Sequence, residues 1–498
     1  MKTRTGLVFI AFGVAATGYL AYVLYRYLAL GIYMDHAEPE VAILSWRLAS
    51  GGALYGAPEA ATHMVTGYGP LLYLISAGFL ALFGPSIAIS KIASMAALVG
   101  ALVLFAVYVW RRFGAAYVGI GVLAFVCYPL IISPVSFWVR PEAFSVFLVT
   151  VALVSTLATD RGRPWLTAII VAACAGLAMN LKIHSFIYFV PIVLRYCVER
   201  WPVKWPLMAI VSITFFALPF TLPLVSASNY LETMQSLISN RSIEPAAVRS
   251  AIKFSQFFLA PGVILVFAAL VNRSGLKKPD VLYFGALLAA ITISLYPSSV
   301  PGSSWYHMLP FFPITVDLFL RYLRAMEAKP WAWLSGFVVV GLAVTVATVT
   351  PQKRLLRAFD SISLGPTLAA EVKTFIADHP GKSLQMGYPS DDQVYYRWTF
   401  VRPLFAFAGH PTTVSGATSM ERQMRGIPPS QAKLDWLRQC RTDLWLIPRQ
   451  PRQSHAFFMN SYLGGKTFNE RIQDAFTTSY SQTGTTEHYE IWACRKPG

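Results

Sequence analysis

The stretch GLVFIAFGVAATGYLAYVLYRYLALGIYMDHAEPE, Gly6 to Glu40, decides how the chain is read. It opens with an apolar run from Gly6 to Leu30 and ends in three carboxylates, Asp35, Glu38 and Glu40. The run is too long for the apolar core of a secretory signal, and no clear cleavage site follows. It reads as an uncleaved membrane span with an acidic turn at its far end. Charge beside lipid is costly, so such a cluster marks either a solvated loop or a functional site.

The remainder of the chain favours the membrane. Of 498 residues, 55% are hydrophobic and 13% charged, against about 25% charged in a soluble domain. Apolar segments recur at about 6–28, 86–110, 115–134, 142–159, 164–181, 185–200, 205–225, 254–271, 281–297, 305–320 and 331–350. About eleven transmembrane helices make this a polytopic α-helical membrane protein, with its two ends on opposite sides. The formal net charge is +17, but the basic residues sit in alternate short loops. Lys2, Arg4, Arg111, Arg112, Arg161, Arg163, Arg195, Arg200, Lys204, Arg273, Lys277, Lys278, Arg321, Arg324 and Lys329 fall on one side. That is the cytoplasmic bias, so the excess sets orientation and does not point to nucleic acid. The N-terminus is expected in the cytoplasm. The segment 67–84 is expected along the outer interface, since counting it as a span would put Arg111 and Arg112 outside.

Two regions follow from this reading: a membrane domain, 1–350, with a first outer loop at about 30–85, and an extracytoplasmic (periplasmic) domain, 351–498. Past Pro351 polar residues rise, and SLQMGYP, DLWLIPR and HYEIWACR read as short strands. Leu368 to Asp378 reads as a helix, so a small C-terminal α/β domain is expected. Cys440 and Cys494 lie beside two of these strands and are candidates for a disulfide in an oxidising compartment. Cys127, Cys174 and Cys197 lie in spans as small apolar residues. Ser226 to Lys253, with Glu232, Arg241, Glu244 and Arg249, reads as a long polar outer loop. Asn240-Arg-Ser and Asn272-Arg-Ser match a glycosylation acceptor pattern at chance frequency.

On this topology Asp35, Glu38, Glu40, Arg140, Glu142, Lys182, His184 and His307 share the outer face. The motifs that carry them come in a particular order. The acidic turn is followed by WRLASGGALYGAP and VTGYGPLLYLISAGFLALFG, then FWVRPEAFSVFL, GLAMNLKIHSFIYFVP and WYHMLPFFP. Over about residues 1–350 this order resembles the GT-C superfamily of polytopic glycosyltransferases, which includes protein O-mannosyltransferases and the lipid A aminoarabinose transferase. The resemblance implies a first-loop catalytic acid, a second acidic motif at Glu142, and a Lys-bearing outer turn at Lys182. It also implies an aromatic and basic pair at Tyr306–His307, and a donor carried on a polyprenyl phosphate. There are departures. Asp35 is followed by His36 where those relatives have Glu, and Gly67 to Pro70 replaces a Lys-bearing segment of the aminoarabinose enzyme.

The chemistry follows from the residue types. Outside the cell no nucleotide sugar is at hand, so a lipid-linked donor is needed. A carboxylate takes the proton of the attacking acceptor, and cations stabilise the departing phosphate. Asp35 is the first candidate for the base and Glu38 the second, with Glu40 a bystander. Lys182, His184, Arg140 and His307 are candidates for the donor phosphate, and Tyr68 and Tyr306 for the substrate cavity. His36, His63 and His184 share no metal-ligand spacing, although some relatives use a divalent metal, which is left open. The acceptor is expected to be an envelope lipid, glycan or protein. Two other readings exist: a transporter or flippase, which would place its polar features near mid-membrane, and a polysaccharide polymerase or ligase acting on lipid-linked glycans.

Overall fold

The structure, a computed structural model, describes all residues except 1–2, 65–66, 197–204, 239–242, 272–277, 301–302, 326–350, 390–392, 424, 451–456, 458–465 and 496–498. The expected span 331–350, Cys197 and both Asn-Arg-Ser sites lie wholly or partly outside the described residues. Four of the described helices are long and apolar enough to cross a membrane: Leu7–Ala29, Ile87–Phe113, Pro141–Asp160 and Pro279–Ser298. Shorter apolar helices include Ala115–Ile131, Pro164–Met179, Ile183–Tyr196 and Trp205–Thr221. The chain is therefore a polytopic helical membrane fold.

The chain divides into two compact units, cut differently from the expected boundary at 350. One comprises Met1–Arg26, Ser94–Pro219 and Arg241–Arg357; the other comprises Tyr27–Ala93, Phe220–Asn240 and Ala358–Gly498. The first is the membrane unit. The second, labelled the outer unit after the place expected for its residues from the sequence, is formed from three separated stretches.

In the membrane unit, helix Pro141–Asp160 packs on Pro164–Met179, and the latter on Trp205–Ala217. The last contact is close because Gly176 has no side chain: a Cβ there would meet the Ser212 carbonyl oxygen at 2.2 Å. Small residues at such crossings let helix backbones approach within lipid. Deeper in this unit, Tyr108 donates to Asp317 at 2.6 Å, and Asp317 pairs with Arg321 at 2.8 Å. Pairing keeps this buried carboxylate from being an isolated charge.

In the outer unit, helix Ala37–Ala49 packs on helix Pro70–Phe83. Ala227–Ile238 is also helical, and the next helix begins at Pro245, so most of the expected polar loop 226–253 is helix. Its 27-residue successor carries apolar residues from early on, which a loop reading had overlooked. Asn229 Nδ2 donates to the Tyr55 carbonyl at 3.0 Å, and Leu54 N–H donates to the Leu224 carbonyl at 2.9 Å. These bonds join the first two stretches of the unit. The third stretch carries a four-stranded sheet in the order β1 (Leu384–Met386), β2 (Leu444–Pro448), β4 (Tyr489–Cys494), β3 (Tyr480–Thr485). The β1–β2 pair is parallel and the others antiparallel, with Trp445 opposite Trp492. Beside it Trp445, Phe457, Phe468, Phe476 and Tyr480 form a buried aromatic core. Cys440 and Cys494 are joined as a disulfide. Helix Gly365–Asp378 starts against the first stretch, where a Cβ on Gly365 would meet the Leu30 carbonyl at 2.2 Å.

Candidate active site

The acidic turn belongs to the outer unit, and its three acids differ in what holds them. Glu38 is fully buried. Its Oε2 accepts the N–H groups of Met34 at 2.8 Å and Asp35 at 3.0 Å, and its Oε1 accepts the Tyr27 hydroxyl. A glutamate in the first turn of a helix that reaches back to preceding N–H groups closes the turn, as in a capping box. Lys91 supports the same turn from one side. Its buried ammonium donates to the carbonyls of Tyr27 and Ile32, at 2.8 Å each, and lies 4.3 Å from the Tyr27 ring centre. These carbonyls end a helix and open a turn, where acceptors otherwise lack partners.

Glu40 is buried as well. Its Oε1 accepts from Arg402 at 2.7 Å and from Ser415 at 2.6 Å, and Arg402 also donates to the His36 carbonyl at 3.2 Å. Burial alone would lower the Arg402 pKa, but Tyr388 and Glu40 beside it raise it above the ordinary value. Glu40 is thus a lock between the turn and the third stretch of the unit. Asp35 is half-buried, and its Oδ1 lies 3.0 Å from His36 Nδ1. Of the three acids its side chain is the most exposed, at 12% against 8% for Glu40. Tyr68 is half-buried, and its carbonyl accepts from the Tyr55 hydroxyl at 2.9 Å.

The other sequence candidates gather in the membrane unit, brought from three segments. Arg140 and Glu142 begin helix Pro141–Asp160, Lys182 and His184 lie at the turn after helix Pro164–Met179, and Tyr306 and His307 lie on the 3-10 helix Trp305–Phe311. Lys182 Nζ donates to Glu142 Oε1 at 2.6 Å, and Arg140 Nε lies 3.7 Å from Glu142 Oε2. Both cations lie over the Tyr306 ring, Arg140 at 4.6 Å and Lys182 at 4.9 Å from its centre. An aromatic face attracts such cations. His184 Nε2 and His307 Nδ1 are 3.0 Å apart, and the Tyr188 hydroxyl donates to the His307 carbonyl at 2.7 Å. Two cations beside one carboxylate leave an excess of positive charge, the arrangement an oxyanion needs. Among the described residues no three His, Cys, Asp or Glu side chains gather as metal ligands. The histidine pair stands beside cations, a donor set unsuited to a metal ion.

Sequence reading missed Lys91, Arg402 and Ser415. Lys91 carried a signal, as a lone lysine inside an apolar helix. Arg402 shares its Val-Arg-Pro setting with Arg140, but nothing local points to Glu40.

The fold is similar to that of solved structures of ArnT. ArnT from Cupriavidus metallidurans in the apo state superposes with a TM-score of 0.58 at 12% identity, over 96% of this chain and 98% of ArnT. The same protein bound to undecaprenyl phosphate matches at 0.58 and 13%, over 99% of this chain and 98% of ArnT. Arabinosyltransferase EmbB from Mycobacterium smegmatis is a weaker likeness, with a TM-score of 0.47 at 12% identity over 80% of this chain and 43% of EmbB. No protein-family model and no curated protein sequence matches the chain.

Proposed function

We propose that the chain is a glycosyltransferase that moves a sugar from a polyprenyl-phosphate-linked donor to a lipid, glycan or protein of the cell envelope. The observation that carries this reading is the cluster of Arg140, Lys182, His184 and His307 around Tyr306, in a fold that in ArnT binds undecaprenyl phosphate. The alternate placement of basic loops puts the N-terminus in the cytoplasm and the acidic turn and C-terminal stretch outside.

The acceptor's hydroxyl or amine attacks the anomeric carbon of the donor sugar. As that bond forms, the bond from the carbon to the phosphate oxygen breaks, and the electron pair leaves with the lipid phosphate. Arg140 and Lys182, with any protonated histidine of the pair, meet the charge growing on that oxygen. Asp35 takes the acceptor's proton. Glu38 and the Glu40–Arg402 lock act on Asp35 through the backbone, as positioning residues. No metal ion is invoked, since the protein's own cations supply the charge.

The test is transfer from a radiolabelled polyprenyl-phosphate sugar by the purified full chain in a bilayer. Asp35→Asn is expected to insert normally, bind donor and transfer sugar about 10²–10⁴-fold more slowly. Full transfer in Asp35→Asn with a dead Glu38→Gln would move the base to Glu38. Full transfer in both variants would sink the catalytic role of the turn. Mass analysis of envelope lipids, glycans and proteins with and without the gene would name sugar and acceptor.

A further inference from the structure

Helix Pro141–Asp160 carries Glu142 of the candidate site at its start and Asp160 at its far end, about 30 Å away at 1.5 Å per residue. A second charged cluster of the membrane unit gathers at that far end, and the reaction above does not use it. Tyr196, the last residue of helix Val190–Tyr196, is its centre. The guanidiniums of Arg195, Arg112 and Arg321 lie 5.1, 5.6 and 5.7 Å from the centre of its ring. Arg112 comes from helix Ile87–Phe113 and Arg321 from helix Phe312–Ala325. Arg321 donates to the Tyr196 hydroxyl, and Arg324, a turn further on, donates to the Arg112 carbonyl.

Among the described residues these four arginines meet three carboxylates, and the carboxylates are not equally committed. Asp317 is fully enclosed and taken up by Tyr108 and Arg321. Asp160, which pairs with Arg112, and Asp280, 3.3 Å from Arg195, have side chains 47% and 26% exposed. Two buried donors have no partner among the described residues: Arg195 Nε and the hydroxyl of Tyr283, whose ring lies 5.9 Å from the Arg321 guanidinium. Buried donors call for an acceptor. Arginines that converge from separate helices suit an anion with several oxygens, as a phosphate has.

What borders the cluster tells what that phosphate is attached to. On helix Ile87–Phe113 the exposed apolar residues Val103, Val107 and Trp110 recur at helical spacing. Their row runs into Arg111, 4.8 Å from the Trp110 ring centre, and then Arg112. On helix Lys278–Ser298 the exposed Val281 and Leu288 stand two turns apart and start beside Asp280. Exposed apolar rows of a polytopic membrane fold face acyl chains, so cations at their ends stand at headgroup depth. We propose that this end of the membrane unit binds an anionic phospholipid. Arg112 and Arg195 hold the headgroup phosphate, and the acyl chains lie along the two apolar rows. On the orientation proposed above it is a lipid of the cytoplasmic leaflet, and its binding is independent of the transferase reading.

The experiment places the full chain in nanodiscs of phosphatidylcholine with an increasing share of phosphatidylglycerol. Native mass spectrometry counts the lipids that stay bound, and the melting temperature is followed in parallel. A single phosphatidylglycerol is expected to be retained in preference to phosphatidylcholine and to raise the melting temperature. Arg112→Gln and Arg195→Gln should each weaken its retention about fivefold, the worth of one arginine beside an anionic headgroup. Asp280→Asn removes a competitor for Arg195 and should strengthen retention, a gain that a purely structural ion pair would not give. Arg163→Gln removes the same charge from an exposed position just before helix Pro164–Met179 and should leave retention unchanged. Inorganic phosphate, added to nanodiscs of phosphatidylcholine alone, should not raise the melting temperature; an equal rise would make the occupant a free phosphate and overturn the lipid. No preference for phosphatidylglycerol, unchanged retention in the folded arginine variants, or an equal fall in Arg163→Gln overturns the proposal. If Arg112→Gln does not fold, Arg195→Gln and Asp280→Asn decide the matter.

Discussion

Val139-Arg140-Pro141 and Val401-Arg402-Pro403 repeat one tripeptide, and each opens a helix with proline at its first position. Proline suits that position because it lacks an N–H that would have no partner there. An arginine at a helix start is poorly placed against the helix dipole, so it calls for a carboxylate. Arg140 has one in its own first turn, Glu142 at 3.7 Å, which Lys182 holds more closely at 2.6 Å. Arg402 finds Glu40 at 2.7 Å across 362 residues of sequence, and donates also to the His36 and Thr399 carbonyls. In the membrane unit the arginine lies over Tyr306 within a group of cations. In the outer unit its Nη1 and Nη2 are directed at acceptors of the protein. One tripeptide thus stands in a group of cations in one place and in an ion pair across the sequence in the other.

The largest expected effect is on chemistry and touches neither arginine. Asp35→Asn should lower the rate of sugar transfer about 10²–10⁴-fold with an unchanged melting temperature. A melting temperature that falls with the rate would turn Asp35 into another architectural residue. Next come the arginines themselves. Arg402→Gln leaves Glu40 buried without its partner and should cost about 3–5 kcal/mol of stability, read by denaturant or thermal unfolding. Arg140→Gln leaves Glu142 its lysine, and should raise the KM for the lipid-linked donor while stability changes little. The opposite pattern in the two variants would break the comparison. Cys440→Ser opens the disulfide and should destabilise the outer unit by about 2–4 kcal/mol without altering the donor KM. A mass measurement under non-reducing conditions checks the bond.

The smallest effect is one of pH. His63 is buried and held down to about 4, chiefly by desolvation, with Lys433, Arg422 and Arg47 facing it and adding to the shift. Below about 6.5 the unfolded chain gains a proton there that the folded chain refuses until about pH 4. Stability is therefore full above 6.5 and declines as pH falls through that window. His63→Gln should flatten that part of the profile.

Much of the membrane unit was legible because each element advertises itself locally. Apolar runs gave the helices, and FWVRPEAF, NLKIHSF and WYHMLPF each put a charged residue beside aromatic ones at a helix end. The helix Ala37–Ala49 went unread as a helix because it begins with acids and Pro39. Strand β3 went unread because YSQTGT lacks apolar alternation. Glu40–Arg402, Glu40–Ser415 and Lys91–Ile32 could not be read, since no local pattern links residues so far apart. The same holds for the outer unit's composition from three stretches, a result of tertiary packing that overrides any boundary drawn from composition.

The length of chain between Glu40 and Arg402 sets an order of events in biosynthesis. At about 5–20 residues per second, the ribosome delivers Arg402 roughly 20–70 s after Glu40. Until then the acidic turn has Tyr27 and Lys91 to hold it but not its last partner, and Glu40 waits without its counter-charge. The turn is therefore completed late: a polypeptide stopped anywhere before residue 402 lacks the arginine that pairs with Glu40. Nascent chains of increasing length should gain activity in a single late step, after the third stretch of the outer unit has emerged and folded.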